Sequence, residues 1–258
     1  MKVTLITGAT GVLGKCFCKY YASLGDELII TGRSEQKLEE LKKQLIEEFS
    51  IKVSGYACEM SNENSRESFF EFLGKYEYID RLILVAGNDN QMDFASYTQE
   101  KIVSQIRANF ESQVCLTNYC LKKMKKGSSL LAISSLTAIT PMPYFAIYSS
   151  CKRAQLDFFT AIKREYKGYK ITVALPSSMP TRLDVIEDIK KQGLTGKLAS
   201  QPPEKVAKKC AKAVEKNKNI VVVGFYNKLV YFFNKLSPNW LKCKIIEKKF
   251  KDKRKENF

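Results

Sequence analysis

Short runs of apolar residues alternate along this chain with longer segments whose apolar residues recur at helical spacing. The segment 35–49 is typical of the second kind, with Leu38, Leu41, Leu45 and Phe49 on one helical face. The short runs lie at residues 3–7, 28–31, 51–56, 81–85, 129–133, 171–175 and 219–224. Because they are continuously apolar rather than alternating, they predict buried parallel strands.

Strands that alternate with helices predict an α/β fold, a single doubly wound parallel sheet of about seven strands with helices on both faces. Residues 98–126 are predicted to form one long helix, kinked or frayed at its ends. Residues 182–200 are interrupted by glycine, which suits a mobile lid. We assign residues 1–225 to the catalytic domain and residues 226–258 to an amphipathic, lysine-rich helical extension.

Composition narrows the possible chemistry. The chain has 258 residues, eight cysteines, no histidine and a net charge of +16. Without histidine or a C-x-x-C pair, we predict no metal site and exclude any nucleophile paired with histidine. The cysteines are expected to be free thiols in the cytoplasm. The positive charge favours anionic partners, but no nucleic-acid motif accompanies it, so we predict no nucleic-acid partner.

A glycine-rich turn follows the first predicted strand. It reads Thr7-Gly8-Ala9-Thr10-Gly11-Val12-Leu13-Gly14 and leads directly into a predicted helix. Glycines at such a turn let backbone approach a pyrophosphate, and the helix start offers free N–H groups. We therefore predict a dinucleotide site, against the alternative of a plain strand-to-helix turn.

The second predicted strand ends in Gly32-Arg33-Ser34, with no acidic residue to accept from the ribose hydroxyls. Arg33 is suited to a 2′-phosphate, with Ser34 as a second donor. This end of the strand favours NADP over NAD. The alternative is an arginine that faces solvent at a helix start.

Tyr148 and Lys152 are four residues apart, so on a helix their side chains share a face. A lysine cation close to a phenol lowers its pKa, and the pair could then move a proton at a carbonyl or alcohol. Ser134 and Ser135 lie upstream and could bond the same substrate oxygen. Taken alone, the tyrosine–lysine spacing is more typical of a surface helix, and the rest of the chain is what favours the catalytic interpretation.

With these motifs in this order, residues 2–225 resemble the short-chain dehydrogenases/reductases in their common single-domain form. The resemblance implies a Rossmann fold, an NADPH cofactor and a homodimer or homotetramer. It implies that Tyr148 exchanges the proton, Lys152 binds the nicotinamide ribose and lowers the tyrosine pKa, Ser135 rather than Ser134 orients the carbonyl, and Asn109 holds a water of the proton relay. The implied cofactor residues are Gly8, Thr10, Gly11, Val12, Leu13, Gly14, Arg33, Ser34, Glu59, Met60, Ala86, Gly87, Tyr148, Lys152, Pro176, Ser177, Met179 and Thr181.

Three positions depart from the family pattern. Val12 stands where the glycine-rich turn usually has glycine, and Ser177 replaces a glycine in the loop after the sixth strand. Leu84-Val85 replaces an Asn-Asn pair, which removes a hydrogen-bonding anchor before Ala86-Gly87. None of these changes touches the Asn-Ser-Tyr-Lys set.

These motifs predict an NADPH-dependent reductase, or the reverse oxidation, acting on a small-molecule carbonyl or alcohol. Residues 88–97, 136–147 and 182–200 are expected to form the substrate pocket. Its predicted apolar lining is Met92, Phe94, Leu136, Met142, Tyr144, Phe145 and Leu183, which suggests an apolar or lipid-like substrate unless these residues belong to the core or a subunit contact. A non-catalytic dinucleotide-binding sensor remains the alternative.

The tail carries apolar residues at helical spacing among many lysines. From residue 228 to the end, the sequence has ten Lys/Arg and three Asp/Glu. An apolar face beside a lysine-rich face is typical of a helix lying in a membrane interface. We predict peripheral membrane association through residues 239–258, with a soluble, fraying end as the alternative. Residues 225–238 are expected to pack over the pocket or a partner subunit.

Overall fold

The computed structural model describes residues 1–250, and the side chains of residues 1–248. Seven parallel strands form one sheet in the order β3-β2-β1-β4-β5-β6-β7. The strands are β1 (Val3–Ile6), β2 (Glu27–Gly32), β3 (Val53–Ala57), β4 (Arg81–Leu84), β5 (Ser129–Ile133), β6 (Lys170–Ala174) and β7 (Ile220–Val221). The predicted doubly wound sheet is confirmed.

Helices connect successive strands and extend the chain beyond β7. Over the described residues they are α1 (Val12–Ala22), α2 (Glu35–Phe49), α3 (Glu63–Leu73), α4 (Gln99–Ile106), α5 (Ser112–Leu121), α6 (Ala146–Glu165), α7 (Leu183–Lys191), α8 (Gly193–Ala199), α9 (Pro203–Glu215), α10 (Phe225–Leu236) and α11 (Asn239–Phe250). Short 3₁₀ turns occur at Phe94–Ser96 and Leu136–Ile139.

Two segments differ from the predicted elements. The long helix expected at residues 98–126 is divided, since a π-helical turn at Arg107–Glu111 separates α4 from α5. Residues 182–200, expected as a glycine-interrupted lid, form α7 and α8, with Gly193 at the start of α8 in the left-handed region. A lid role for this segment stays a prediction.

The core consists of two apolar layers, one on each face of the sheet. Strand alternation assigns residues to them: Ile30 packs with Phe17 of α1 on one face, whereas the adjacent Ile29 packs with Phe69 of α3 on the other. Helices α1, α2 and α9 cover the first face, and α3, α5 and α6 cover the second. Burial on both faces explains the continuous apolar runs of the strands.

A charged cluster lies at the edge of the sheet where the parallel strands begin. Arg81 and Asp26 are both buried and form an ion pair. Asp26 Oδ2 also accepts from Thr4 Oγ1 at 2.6 Å, and Arg81 Nε donates to Glu215 Oε1 at 3.0 Å. The cluster joins β1, β4 and α9 at the end of the sheet opposite the motifs of the sequence.

Replacement of Arg81 by alanine is expected to lower the free energy of unfolding by about 3–5 kcal/mol, because it leaves the buried Asp26 carboxylate without its cation. Equilibrium unfolding in urea measures the change. Arg153→Ala is the matched control, since Arg153 pairs with Asp157 at 2.9 Å on an exposed surface and is expected to contribute less than about 1 kcal/mol. Equal losses in the two variants would contradict a structural role for the cluster.

Candidate active site

The carboxyl ends of the parallel strands gather the motifs at one edge of the sheet. The glycine-rich turn follows β1, Arg33 follows β2, Ala86 and Gly87 follow β4, and Ser135 follows β5. Strand order reverses between β1 and β4, so the crevice beside the turn lies at the topological switch point, where open α/β sheets bind their ligands.

The glycine-rich turn leaves no room for side chains above its backbone. A Cβ on Gly14 would lie 2.1 Å from Gly8 O, and a Cβ on Gly8, which has φ of +62°, would lie 2.9 Å from Ala86 N. Gly11, the residue before α1, has no side chain that could cap the helix. No capping side chain therefore accepts from the first backbone N–H groups of α1. A backbone cradle at a helix start fits a cofactor pyrophosphate.

The residues predicted at this turn differ in how much of the side chain a ligand could reach. Leu13 is buried in the core with its side chain packed among apolar residues, so only its N–H could meet a ligand. Val12, which replaces the usual glycine, has 43% of its surface exposed and does not close the turn. Thr10 lies over β2, where its Oγ1 would be 2.8 Å from a Cβ on Gly32.

The anchor that Leu84-Val85 was expected to remove is supplied from β1. Thr7 Oγ1 accepts from the backbone of Val85 at 3.0 Å and of Ala86 at 3.1 Å. Gln113 of α5 donates to Ala86 O at 2.9 Å. The segment after β4 is therefore held from both sides.

Arg33 directly follows β2, and most of its side chain is exposed to solvent. The side chain is 78% exposed, and its Nε lies 4.0 Å from Glu59 Oε2. Ser34 caps α2, since its hydroxyl oxygen accepts from Lys37 N at 3.3 Å, which leaves its proton free to donate. The predicted Met60 differs, because its side chain packs in the core.

Asn109 lies in the π-helical turn, where its side chain is buried and extensively bonded. Its Nδ2 donates to Asn88 O at 2.8 Å and to Gln105 O at 2.9 Å, while its backbone carbonyl accepts from Gln155 Nε2. Among the described residues, nothing bonds its Oδ1. That atom would lie 2.6 Å from a Cβ on Gly87, so the crevice floor requires glycine there.

Tyr148 and Ser135 come together at the base of a pocket. Ser135 and Tyr148 both line this pocket, and the Ser135 side chain is near enough to the Tyr148 hydroxyl to lower its pKa. The Tyr148 ring stacks on Phe145 with centroids 4.5 Å apart. Ser134 is buried instead, and its Oγ donates to Lys152 O at 2.8 Å, which ties β5 to α6. The structure thus places Ser135 beside the tyrosine and Ser134 in a packing role.

Lys152 is buried one turn after Tyr148. Its Nζ donates to Ile133 O at 3.0 Å and would lie 3.6 Å from a Cβ on Gly87. Burial lowers the pKa of Lys152 to about 8. Burial also raises the pKa of Tyr148, and the Asp89 carboxylate raises it further.

The lowered tyrosine pKa expected from the Tyr148–Lys152 pair is therefore wrong for the protein alone. Lys152 Nζ lies 5.4 Å from the centre of the tyrosine ring and is bonded to a carbonyl, so desolvation outweighs its charge. The phenol holds its proton at neutral pH and is suited to donate it.

The burial of Lys152 makes the free energy of unfolding depend on pH. Because the Lys152 pKa falls from its usual value to about 8 on folding, the folded protein binds fewer protons than the unfolded chain between about pH 8 and 10. The free energy of unfolding of the cofactor-free protein, relative to Lys152→Met, is expected to rise across this range with a slope approaching 1.4 kcal/mol per pH unit. Urea unfolding at several pH values measures it.

Lys19→Met controls for the loss of one positive charge, since Lys19 is exposed at the surface. A difference between wild type and Lys152→Met that stays constant from pH 7 to 10 would show that Lys152 does not titrate near 8.

A pocket of about 950 Å³ opens from Ser135 and Tyr148. Its lining includes the predicted Leu136, Met142 and Phe145, together with Ser177, Met179 and Thr181 of the loop after β6. That loop is fixed by its backbone, since Pro176 O accepts from Leu136 N at 2.9 Å.

Four of the residues predicted to line the pocket do not line it: Met92, Phe94, Tyr144 and Leu183. Met92 is buried by packing, and its N–H donates to Tyr144 O at 3.1 Å. Phe94 and Leu183 face solvent, with 63% and 81% of their surface exposed. Helical periodicity cannot tell which side of a loop faces a cavity, and these residues lie in or beside loops.

An ion pair missed in the sequence crosses this pocket. Arg182 donates to both oxygens of Asp89, at 2.6 and 3.1 Å, and also pairs with Asp184 at 3.1 Å. The bonds from Arg182 lower the pKa of Asp184. The pair ties the start of α7 to the loop after β4, above Tyr148. The only local signal was the spacing of Arg182 and Asp184.

The C-terminal helices also form part of the pocket. Tyr226, Val230 and Phe233 of α10 line it, as do Leu241 and Ile245 of α11. Packing of residues 225–238 over the pocket was one of the alternatives expected. The tail predicted at residues 239–258 contributes as well, through α11; residues 251–258 lie outside the described part of the chain.

The fold and this site define an α/β protein with a glycine-rich turn at the switch point of its parallel sheet and with Ser135, Tyr148 and Lys152 close to one pocket. A family model described as short chain dehydrogenase matches residues 2–192. The Arabidopsis thaliana protein named 11-beta-hydroxysteroid dehydrogenase-like 2 is 27% identical over 244 residues, which cover 92% of this chain and 78% of that protein. The chain belongs to the short-chain dehydrogenase/reductase family, and it is an oxidoreductase acting on alcohol and carbonyl groups.

Solved structures support the fold. One from a study of 7beta-hydroxysteroid dehydrogenase stereoselectivity has a TM-score of 0.85 at 20% identity and covers 95% of this chain and 96% of that one. A short-chain dehydrogenase from Sphingobium yanoikuyae in complex with NADPH has a TM-score of 0.76 at 18% identity, with 92% and 95% covered. Within residues 1–250, no helix is long and apolar enough to cross a membrane.

Proposed function

We propose that this protein is an NADPH-dependent reductase that interconverts a carbonyl and an alcohol on an apolar or lipid-like substrate. The observation that carries the proposal is that Tyr148 and Ser135 line the same pocket, with buried Lys152 one helical turn away. Bound NADPH would supply the hydride, which is chemistry that protein side chains lack.

The residues of the chain supply positioning and the proton. Ser135 donates a hydrogen bond to the substrate oxygen, and Tyr148 gives that oxygen its proton as the carbonyl is reduced. The raised pKa of Tyr148 keeps the phenol protonated at neutral pH, so it has a proton to donate. Lys152 would hold the nicotinamide ribose, since its Nζ faces Gly87. Asn109 would hold a water of the proton relay through its Oδ1, which faces the same glycine and has no partner among the described residues.

The choice of NADP rests on the end of β2. The Arg33 guanidinium is mostly exposed, and its Nε lies 4.0 Å from Glu59 Oε2. A phosphate that binds Arg33 would therefore not have to break a strong ion pair. Ser34 offers a hydroxyl proton at the start of α2, where the helix dipole also favours an anion. The NADPH complex of the Sphingobium yanoikuyae protein supports the same choice.

The substrate class rests on the pocket. Leu136, Met142, Phe145 and Val230 surround the approach to Tyr148, and about 950 Å³ would accept a molecule larger than a simple sugar. The name of the Arabidopsis thaliana relative supports hydroxysteroid-like compounds as first candidates.

The test is to purify the full chain, identify any retained cofactor by mass, and follow NADPH oxidation with a panel of ketosteroids, long-chain ketones and sugars. We expect NADPH oxidation with apolar ketones that Tyr148→Phe abolishes. Turnover of sugars alone would overturn the substrate class. Cofactor binding without turnover of any carbonyl would instead favour the sensor alternative.

As part of this proposal, the protein is a cytoplasmic homodimer or homotetramer. All eight cysteines are free thiols, which suits a reducing compartment. Light scattering after size-exclusion chromatography tests the assembly, and a monomer at micromolar concentration would contradict it.

A further inference from the structure

Helix α10 is turned so that its apolar face looks outward. Phe225, Leu229, Phe232, Phe233 and Leu236 recur at helical spacing and are all exposed, three of them by 60% or more of their surface. The inward side carries two asparagines among apolar residues: Asn227 is buried and donates to Ala199 O at 2.8 Å, Asn234 accepts from Thr140 Oγ1 at 2.9 Å, and Tyr231 packs against the core. A helix of a soluble protein normally shows the opposite orientation.

The outward face of α10 continues into neighbouring helices. Trp240, at the start of α11, is 68% exposed, and Ile245 is 60% exposed. Helix α8 contacts α10 and exposes Leu194 by 73%. Exposed large apolar side chains concentrated on neighbouring helices are typical of an interaction site. We call the outward apolar side chains of α10 together with Trp240 and Ile245 the apolar face.

The pocket opens on the apolar face. Phe233 and Ile245 belong to this face and also line the pocket that leads to Tyr148. A compound dissolved in an apolar phase against this face would therefore reach the pocket without crossing water.

The lysines beside the apolar face favour an anionic lipid surface as its binding partner. Helix α10 carries no acidic residue, and its exposed Lys228 and Lys235, seven residues apart, follow one edge of the apolar face. Lys244 and Lys248 of α11 are exposed as well. Lysines beside an apolar face can reach anionic headgroups while the apolar residues enter the acyl boundary. A second copy would instead bring two lysine-edged faces of a +16 chain together.

We propose that the apolar face docks on an anionic lipid bilayer and presents the pocket to the membrane. The docking stands on the orientation of α10 and its lysines; the delivery of a lipid-soluble carbonyl rests on the proposed function. The face differs from the tail expected at residues 239–258, because its centre is α10, the helix that was expected only to pack.

The test is co-sedimentation of the full chain with phosphatidylcholine vesicles, with or without phosphatidylglycerol, at low and high salt. We expect binding to the anionic vesicles at low salt. Phe232→Gln/Leu236→Gln, whose residues do not line the pocket, should weaken this binding more than tenfold. Lys228→Gln/Lys235→Gln should weaken it about 30-fold at low salt and little at high salt.

Leu24→Gln/Ile46→Gln is the matched control, because both residues are exposed apolar side chains far along the chain from this face, and it should bind as wild type does. Tyr148→Phe should also bind vesicles normally, so failure of the proposed activity would leave the docking intact. A full chain that stays in the supernatant at low salt overturns the proposal. A fall in molecular mass for Phe232→Gln/Leu236→Gln in that case would assign the face to a second copy.

Discussion

Replacement of Tyr148 by phenylalanine is expected to lower kcat for carbonyl reduction by about 10²–10⁴-fold, the usual contribution of a positioned proton donor. The substitution removes one oxygen, the phenol hydroxyl in the pocket that Ser135 also lines. It keeps the ring that stacks on Phe145 with centroids 4.5 Å apart, so the pocket should hold its shape. Rates of NADPH oxidation with the best ketone of the panel measure the loss.

Cofactor affinity should change little in this variant, since Lys152, Asn109 and the glycine-rich turn are untouched. Fluorescence titration with NADPH checks this. Tyr226→Phe is the matched control, because it removes a second tyrosine hydroxyl from the same pocket without touching Ser135. We expect it to retain most of kcat. A Tyr148→Phe enzyme with the wild-type rate would show that another group supplies the proton.

The sequence predicts the part of the site whose position depends only on where the parallel strands end. Every strand of such a sheet ends at the same edge, so Gly8, Arg33, Gly87 and Ser135 had to meet once their strands were recognised. The four-residue spacing of Tyr148 and Lys152 likewise needs only a helix to place both side chains on one face.

Other features depend on contacts between distant segments and left no pattern in the sequence. Arg182 and Asp89 are 93 residues apart, and neither belongs to a motif. Asn227 of α10 donates to Ala199 O, whereas hydrophobic periodicity left open whether the apolar side chains of this helix pack over the pocket or on a partner subunit. Periodicity finds the apolar face of a helix but cannot say whether that face meets the core.

The direction in which the Tyr148 pKa shifts is also a property that the sequence pattern could not predict. Spacing places Lys152 near Tyr148, but the sign of the shift depends on how deeply both are buried. Desolvation lowers the pKa of Lys152 and raises that of Tyr148, and Asp89, brought in by the fold, adds to the second effect. A sequence pattern contains neither burial nor Asp89.

Wild-type protein is expected to bind NADPH about 10–100-fold more tightly than NADH. The two cofactors differ by one phosphate, and a charge-assisted hydrogen bond to it contributes about 1.5–3 kcal/mol. Arg33 can supply that bond, because its side chain is 78% exposed and its nearest acid, Glu59, is 4.0 Å away. Isothermal titration with each cofactor measures the ratio.

Arg33→Ala should lose this factor for NADPH and leave the NADH affinity nearly unchanged, since the rest of the cofactor meets the glycine-rich turn and the residues near Gly87. Arg33→Lys should fall between, because an ammonium keeps the charge but cannot bind phosphate through two parallel bonds. Arg153→Ala, which removes an exposed arginine from α6, controls for the loss of one charge. If wild type binds both cofactors equally, Arg33 does not read the 2′-phosphate, and its pairing with Glu59 would be its main role.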